Sequence, residues 1–294
     1  MKNDQSIARM SPPRIIRAPR AMQRLALHWR AQGLRIAVVP TMGALHDGHV
    51  ALLRAARRKA DKVIVTIFVN PTQFGPREDF AAYPRPFAAD ARRCAEAGVD
   101  VIFAPASAAM YSPDFSTWIN EEALAQHLCG ARRPGHFRGV CTVVAKLLHI
   151  TQPDIALFGQ KDAQQVLIIQ RMARDLNMPV RIVVHPIVRE RSGLAMSSRN
   201  HYLTAAERTR AAGIARGLRL VRAWHTQGLT LAAIRAKLRA LLRREVSPHI
   251  DYVSMVDEGT LRAVRTPHKR QKLLIAVALF VGRARLIDNL RLTW

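Results

Sequence analysis

Short apolar runs without polar alternation recur through the first two thirds of the chain, at 35–39, 62–70, 99–103, 154–158 and 180–188. Between them lie amphipathic stretches of helical period at 49–60, 87–98, 139–151 and 162–177, and an earlier one at 19–32. Runs that are apolar at every position suit strands buried on both faces, and helical periods between such strands suit βαβ units. The predicted fold class is therefore α/β, with a Rossmann-like parallel sheet covered by helices. Such sheets bind ligands beyond the carboxyl ends of their strands. His46, Asn70, Gln73 and Gly159 all follow strands at that end.

The texture changes after Asn200. A long helical stretch at 204–224 opens with a capping box, Thr204 as N-cap and Glu207 three residues on. A second helix at 231–245 follows Gly228, and strands at 251–256, 273–280 and 284–287 complete the chain. Helices followed by antiparallel-looking strands predict a smaller α+β domain. The expected division is a catalytic domain at 1–189 and a C-terminal domain at 190–294 that closes over the site, joined in the polar stretch 189–200. Residues 1–30 carry several arginines and one acidic residue, as a transit peptide would, but are poor in serine and contain the Pro12-Pro13 break; residues 1–12 are expected to form a disordered lead. No internal repeat is visible.

Composition narrows the class further. At 294 residues and 49% hydrophobic, the chain is an ordinary globular sequence. Its longest apolar runs, 63–69 and 273–281, are too short to span a bilayer. Cys94, Cys129 and Cys141 have neither CxxC nor zinc spacing and read as small core residues of a reducing compartment. With no secretory segment, the expected location is the cytoplasm, away from membranes. The net charge of +25 would attract polyanions weakly. It is spread along helix faces such as Arg54-Arg57-Arg58 without interleaved aromatics, so no specific nucleic-acid site is expected.

The candidate chemistry begins at Pro40-Thr41-Met42-Gly43-Ala44-Leu45-His46-Asp47-Gly48-His49. A strand, a Gly-containing turn and a helix whose first turn carries two histidines form an anion site. The helix end offers unpaired N–H groups, and imidazoles add donors for phosphate. His-x-x-His is also half of a zinc motif, but no third ligand stands at useful spacing. Gly159-Gln160-Lys161-Asp162 is a second strand-to-helix loop, with Lys161 as a point charge for phosphates. Met196-Ser197-Ser198-Arg199-Asn200 adds two hydroxyls and a guanidinium. The neutral amides of Asn70, Gln73 and Gln165 suit the hydroxyls and carboxylate of a small polar substrate. The basic, Gly-broken segment 132–139 reads equally as a mobile wall over the site or as a solvated turn.

Taken in order, these segments closely resemble the pantothenate synthetase (pantoate–β-alanine ligase) family of the nucleotidyltransferase superfamily. The likeness runs from about Arg35 to Asn289. It rests on PTMGALHDGH, IFVNPTQF, Tyr83-Pro84-Arg85, RPGHFRGV, QPDIALFGQKDAQQ, GLAMSSRN and ARLIDN. The resemblance implies an ATP-dependent, AMP-forming C–N ligase that condenses (R)-pantoate with β-alanine through a pantoyl adenylate, with ATP as substrate, Mg²⁺ on the triphosphate and a homodimer. It assigns His49, His46 and Lys161 to catalysis. It assigns Met42, Gly43, Ala44, Leu45, His46, Asp47, Gly48, His49, Gly159, Gln160, Lys161, Asp162, Val188, Met196, Ser197, Ser198 and Arg199 to ATP. Gln73 and Gln165, with Asn70 and Tyr83 nearby, fall to the acid substrates. Two positions depart from the family pattern: Gln160 replaces the usual glutamate and Met196 the usual leucine. Competing readings are another adenylate-forming enzyme of the superfamily and, on charge alone, a basic nucleic-acid-binding protein.

Overall fold

The computed structural model describes residues 12–76 and 78–294; the disorder expected for residues 1–12 falls, but for Pro12, outside them. The first unit runs β1 (Arg14–Ile16), α1 (Pro19–Ala31), β2 (Ile36–Thr41), α2 (Asp47–Arg57), β3 (Lys62–Ile67), α3 (Phe87–Glu96), β4 (Val101–Phe103), α4 (Ser107–Met110), α5 (Leu128–Arg132), α6 (His136–Thr151), β5 (Ile155–Gly159), α7 (Ala163–Asp175) and β6 (Arg181–His185). Its sheet is parallel throughout, in the order β1-β4-β3-β2-β5-β6.

The unbroken apolar runs follow from burial on both faces. Ile36 and Val38 point into a core shared with Met22 of α1, Val140 of α6 and Ile169 of α7. Ala37 and Val39, one step out of phase, face Leu53 of α2 and Cys94 of α3. Each such aliphatic side chain contributes about 1.5–3 kcal/mol relative to exposure. The strand order reverses between β2 and β5. Loops leaving their carboxyl ends diverge there and open a crevice.

Two elements depart from the apolar pattern. The run at 62–70 leaves the sheet after Ile67, because Asn70 caps a 3₁₀ turn, Pro71–Gln73, and Pro71 has no N–H for a ladder. The short edge strand β1 carried no signal, since only Ile16 is buried.

The second unit contains α8 (Ala205–Ala211), α9 (Gly213–Thr226), α10 (Leu231–Glu245), β7 (Ile250–Asp257), β8 (Lys272–Val281) and β9 (Ala284–Thr293). The single helix expected at 204–224 is broken at Ala212, beside Gly213, whose low helix propensity coincides with close approach to Val246. The Thr204–Glu207 capping box is formed. The antiparallel sheet has the order β7-β8-β9. Ile275, Val277 and Leu279 of β8 pack on α9 and α10, while Leu274 and Ala276 join the core of the first unit. That two-sided burial explains the continuous apolar run of β8. β9 outlasts the expected 284–287 because Asp288 and Asn289, although polar, are buried within it. Among the described residues no helix is long and apolar enough to cross a membrane.

Candidate active site

The chain leaving β2 turns through two left-handed residues, Gly43 (φ +82°) and Ala44 (φ +50°). Asp90 on α3, 2% exposed, holds this turn by accepting the N–H groups of Ala44 (2.9 Å) and Leu45 (2.7 Å). A Cβ at Gly43 would lie 3.0 Å from Asp90 Oδ2, so glycine is required there for space as well as for φ. Burial pushes the Asp90 carboxyl above its usual range, against the pull of the two backbone donors.

The turn delivers α2 with His46 as its N-cap. Nδ1 of His46 accepts the Gly48 N–H (3.1 Å), and Nδ1 of His49 accepts the His46 N–H (3.3 Å). The two rings stack at 4.1 Å. An Nδ1 that accepts from the backbone places the proton of a neutral ring on Nε2. Both rings are neutral. Burial, reinforced by Lys161, lowers His46 to about 4, and burial with His46 and Lys161 holds His49 well below its usual value. The helix end thus presents two imidazoles whose remaining hydrogen-bonding groups are N–H donors.

Across the crevice, the loop after β5 carries Lys161, with Nζ 3.9 Å from Asp162 Oδ1. Gln165 follows on α7. The third segment arrives from the connection after β6. Ser197 caps the 3₁₀ turn Ser198–Tyr202 by accepting the Arg199 N–H (3.2 Å). Ser198 Oγ lies 3.4 Å from the Tyr83 hydroxyl. The Val188 carbonyl accepts the Met196 N–H (3.0 Å). Arg199 is already engaged, forked onto Asp79 at 2.9 and 3.1 Å.

Gln73 is held at both ends. Its carbonyl accepts Nδ1–H of His136 (2.8 Å) and Nη2 of Arg133 (3.2 Å), and Arg133 is itself paired with Glu78. Its side-chain oxygen accepts from Asn70 (3.1 Å), and its Nε2 donates to Met42 Sδ (3.1 Å). Asn70 is 1% exposed, and its remaining groups meet the Gly139 carbonyl, Thr72 and Tyr111. It therefore orients Gln73 and has no polar group left for a ligand. Burial and Arg133 lower His136 to about 4, which keeps its ring neutral as well.

A cavity of about 230 Å³ occupies the crevice, bordered by His46, His49, Gln73, Lys161, Gln165 and Ser197. Met42, Gly48, Asn70, Tyr83, Gly159, Asp162, Val188, Met196, Ser198 and Arg199 also border it. Its apolar wall is Val140, Val143, Val144 and Leu147 of α6 with Phe68 and Phe158. A larger cleft of about 680 Å³ between the units shares Lys161, Asp162, Gln165, Ser197 and Arg199 with it.

Some residues assigned by resemblance lie elsewhere. Gly43 borders a separate cavity beside Asp90. Ala44 and Leu45 contribute their N–H groups to Asp90, and the Leu45 side chain lies in the core. Asp47 pairs with Arg93 at 2.9 Å on the surface. Gln160 turns away from the cavity, and its amide donates to Asn289 on β9 (3.3 Å). The segment 132–139 joins the end of α5 to the start of α6 and is anchored to Gln73.

Sequence reasoning missed the α6 wall, although Val140, Val143, Val144 and Leu147 have helical i, i+3, i+4, i+7 spacing. It also missed Asp90, whose role no local pattern signals. Among the described residues no three His, Cys, Asp or Glu side chains gather to hold a metal.

Residues 14–291 match the family model described as pantoate-beta-alanine ligase. The pantothenate synthetase of Nitratidesulfovibrio vulgaris (strain DP4) is 50% identical over 283 residues, covering 95% of this chain and 98% of that one. Pantothenate synthetase 1 of Bradyrhizobium diazoefficiens is 51% identical over 262 residues, 88% of this chain and 91% of its own. The crystal structure of pantothenate synthetase from Thermus thermophilus superposes with a TM-score of 0.86 at 41% identity, covering 94% of this chain and 98% of that one. The pantoate-beta-alanine ligase of Francisella tularensis, complexed with beta-gamma ATP and beta-alanine, gives 0.77 at 33% identity, covering 95% and 97%.

Proposed function

The chain belongs to the pantoate–β-alanine ligase family, and from that premise we propose how its residues divide the reaction. It is an enzyme that forms the C–N bond between pantoate and β-alanine. A carboxylate is a poor acylating agent, because its leaving group would be an oxide. In the first step the pantoate carboxylate attacks the α-phosphorus of ATP; pyrophosphate leaves and the pantoyl adenylate remains. In the second, the free amine of β-alanine attacks the activated carbonyl, AMP departs with the bonding pair, and the amine proton is lost to solvent.

The first step brings two anions together. Lys161 and the Nε2–H groups of His46 and His49 offset that repulsion, and they take up charge that grows on the phosphates in the transition state. In this reading His49 is the proton donor, and its proton sits on Nε2, the nitrogen left free by the helix cap. Ser197, Ser198 and Arg199 serve the outer phosphates. Gln73 and Gln165 address the pantoate hydroxyls and carboxylate, and Gln73 also meets β-alanine. The α6 valines fit the branched methyl groups of pantoate. The same apolar wall limits water, which would hydrolyse the mixed anhydride.

Mg²⁺ accompanies the triphosphate in this reading. Asp162 is the one carboxylate among the described residues bordering the cavity. That fits a cation borne chiefly by phosphates and water, with one protein oxygen at most; it supplies charge neutralisation. The division into 1–189 and 190–294, a homodimer and a cytoplasmic location complete the reading.

One observation carries it: segments far apart in sequence, at His46–His49, Lys161 and Ser197–Arg199, border a single cavity with Gln73 and Gln165 at the strand-order reversal. The test is AMP release with ATP, pantoate and β-alanine omitted in turn. Release should require all three. Release that proceeds without pantoate, or that RNA sustains in its place, would overturn the reading.

A further inference from the structure

Lys161 and Ser197 border one cavity, yet among the described residues no hydrogen bond joins their loops directly. Both loops are tied instead to neighbouring residues of β9. Asn289, 4% exposed, donates both of its side-chain hydrogens to the loop after β5, to the Gln160 carbonyl (2.9 Å) and the Lys161 carbonyl (3.0 Å). Its oxygen accepts from Gln160 Nε2 (3.3 Å). Every polar group of this amide is used, and a flipped amide would set its oxygen against two carbonyls.

The adjacent Asp288, 3% exposed, accepts both terminal nitrogens of Arg189 (2.6 and 3.1 Å). Arg189 Nη1 also donates to the Gly193 carbonyl (3.1 Å), and Arg189 bridges Ala195. That closed hairpin runs directly into Met196, Ser197 and Ser198. Both β9 residues are polar, buried and far in sequence from the loops they hold. Burying them unpaired would be costly, so their hydrogen bonds define one arrangement of the two loops.

We propose that Asn289 is a positioning residue for Lys161, and that β9, through Asn289 and Asp288, sets the spacing between the lysine and the serines that receive the triphosphate. This rests on the phosphate role of Lys161 given above. It also explains where the Gln160 departure acts, on the contact with β9 and not on the nucleotide.

The experiment measures KM for ATP, pantoate and β-alanine with kcat in Asn289→Ala, Lys161→Ala and the double variant, with Leu292→Ala as a control that removes apolar packing from the second core and leaves the hydrogen bonds of Asp288 and Asn289 in place. Asn289→Ala should raise KM for ATP about tenfold, the scale of one or two lost hydrogen bonds to a charged site's support. KM for pantoate should stay within about twofold. The double variant should match Lys161→Ala, because residues acting through one group are not additive. Leu292→Ala should lower the melting temperature without moving KM for ATP. Should Asn289→Ala fail to fold, the neutral Asn289→Ser, whose hydroxyl keeps a donor for one of the two carbonyls, is read the same way with a smaller rise. An unchanged KM for ATP, equal rises for all three substrates, or full additivity overturns the proposal. A normal KM for ATP in Lys161→Ala itself would instead remove the phosphate role of the lysine, and the proposal with it.

Discussion

Nδ1 of His49 accepts the backbone N–H of His46 at 3.3 Å, so the two histidines share one helix cap. The capping bonds consume one nitrogen of each ring and determine which nitrogen keeps its proton. Local helix chemistry and the donor geometry of the site are therefore the same set of bonds.

The first prediction follows from that arrangement. His49→Ala should lower the adenylation rate by about 10²–10⁴-fold with the fold intact. His49→Gln should retain more activity, because its amide places an N–H near the position of Nε2. Pyrophosphate release from ATP and pantoate reads both. A wild-type rate in the alanine variant, or a glutamine variant no better than alanine, would defeat the donor role.

Stability should fall in acid through the same groups. His46 and His136 lie near 4 in the folded chain, against an ordinary 6.5. Between those values the unfolded chain binds protons that the folded chain excludes, so stability is present above pH 6.5 and is lost as pH falls toward about 4. From pH 7 to pH 5 each ring should cost about 2 kcal/mol. Denaturant midpoints measured across that range should decline, and His136→Gln should flatten the slope. A midpoint independent of pH down to 5 would contradict the neutral assignment.

Asp90 holds the turn that aims α2. Asp90→Asn keeps the shape but offers one acceptor to two backbone donors, at a cost of about 1–3 kcal/mol. Adenylation should fall along with stability, since the turn carries His46 and His49. Gly43→Ala should do the same through its positive φ and the 3.0 Å approach to Asp90. Equilibrium unfolding and pyrophosphate release check both effects. Either variant with native stability would show that the turn needs no buttress.

Residues whose signal is local were legible in the chain. The apolar runs of β2, β3 and β5 announced a parallel sheet, and the Thr204–Glu207 box marked its helix start to the residue. His46, Asn70, Gln73 and Gly159, which opens the Lys161 loop, could be grouped because each follows a strand at the same sheet end. What stayed hidden depends on partners distant in sequence. Asp90 reads as one more acidic helix residue until Ala44 and Leu45 are seen against it. Asp288 and Asn289 read as the end of a strand, because burial of polar groups is visible only with Arg189 and the Lys161 loop in place. Asn70 had the chemistry of a ligand contact, and tertiary structure spent all of it on Gln73, Gly139, Thr72 and Tyr111.

Arg199 offers the last test. Its guanidinium is forked onto both oxygens of Asp79, in a pair about one third exposed on the arginine side. Such pairs are worth roughly 0.2–1 kcal/mol, whereas a phosphate contact to a guanidinium is charge-assisted and bidentate. A triphosphate should therefore displace Asp79, and the carboxylate is a competitor that also adds like charge near the anion. Asp79→Asn should lower KM for ATP, by about fivefold at most, the factor equivalent to 1 kcal/mol. Arg199→Lys should raise it, because an ammonium cannot reproduce the fork. Steady-state kinetics at fixed ionic strength decides the matter. A raised KM in Asp79→Asn would mean that the carboxylate orients Arg199 for the nucleotide and does not compete with it.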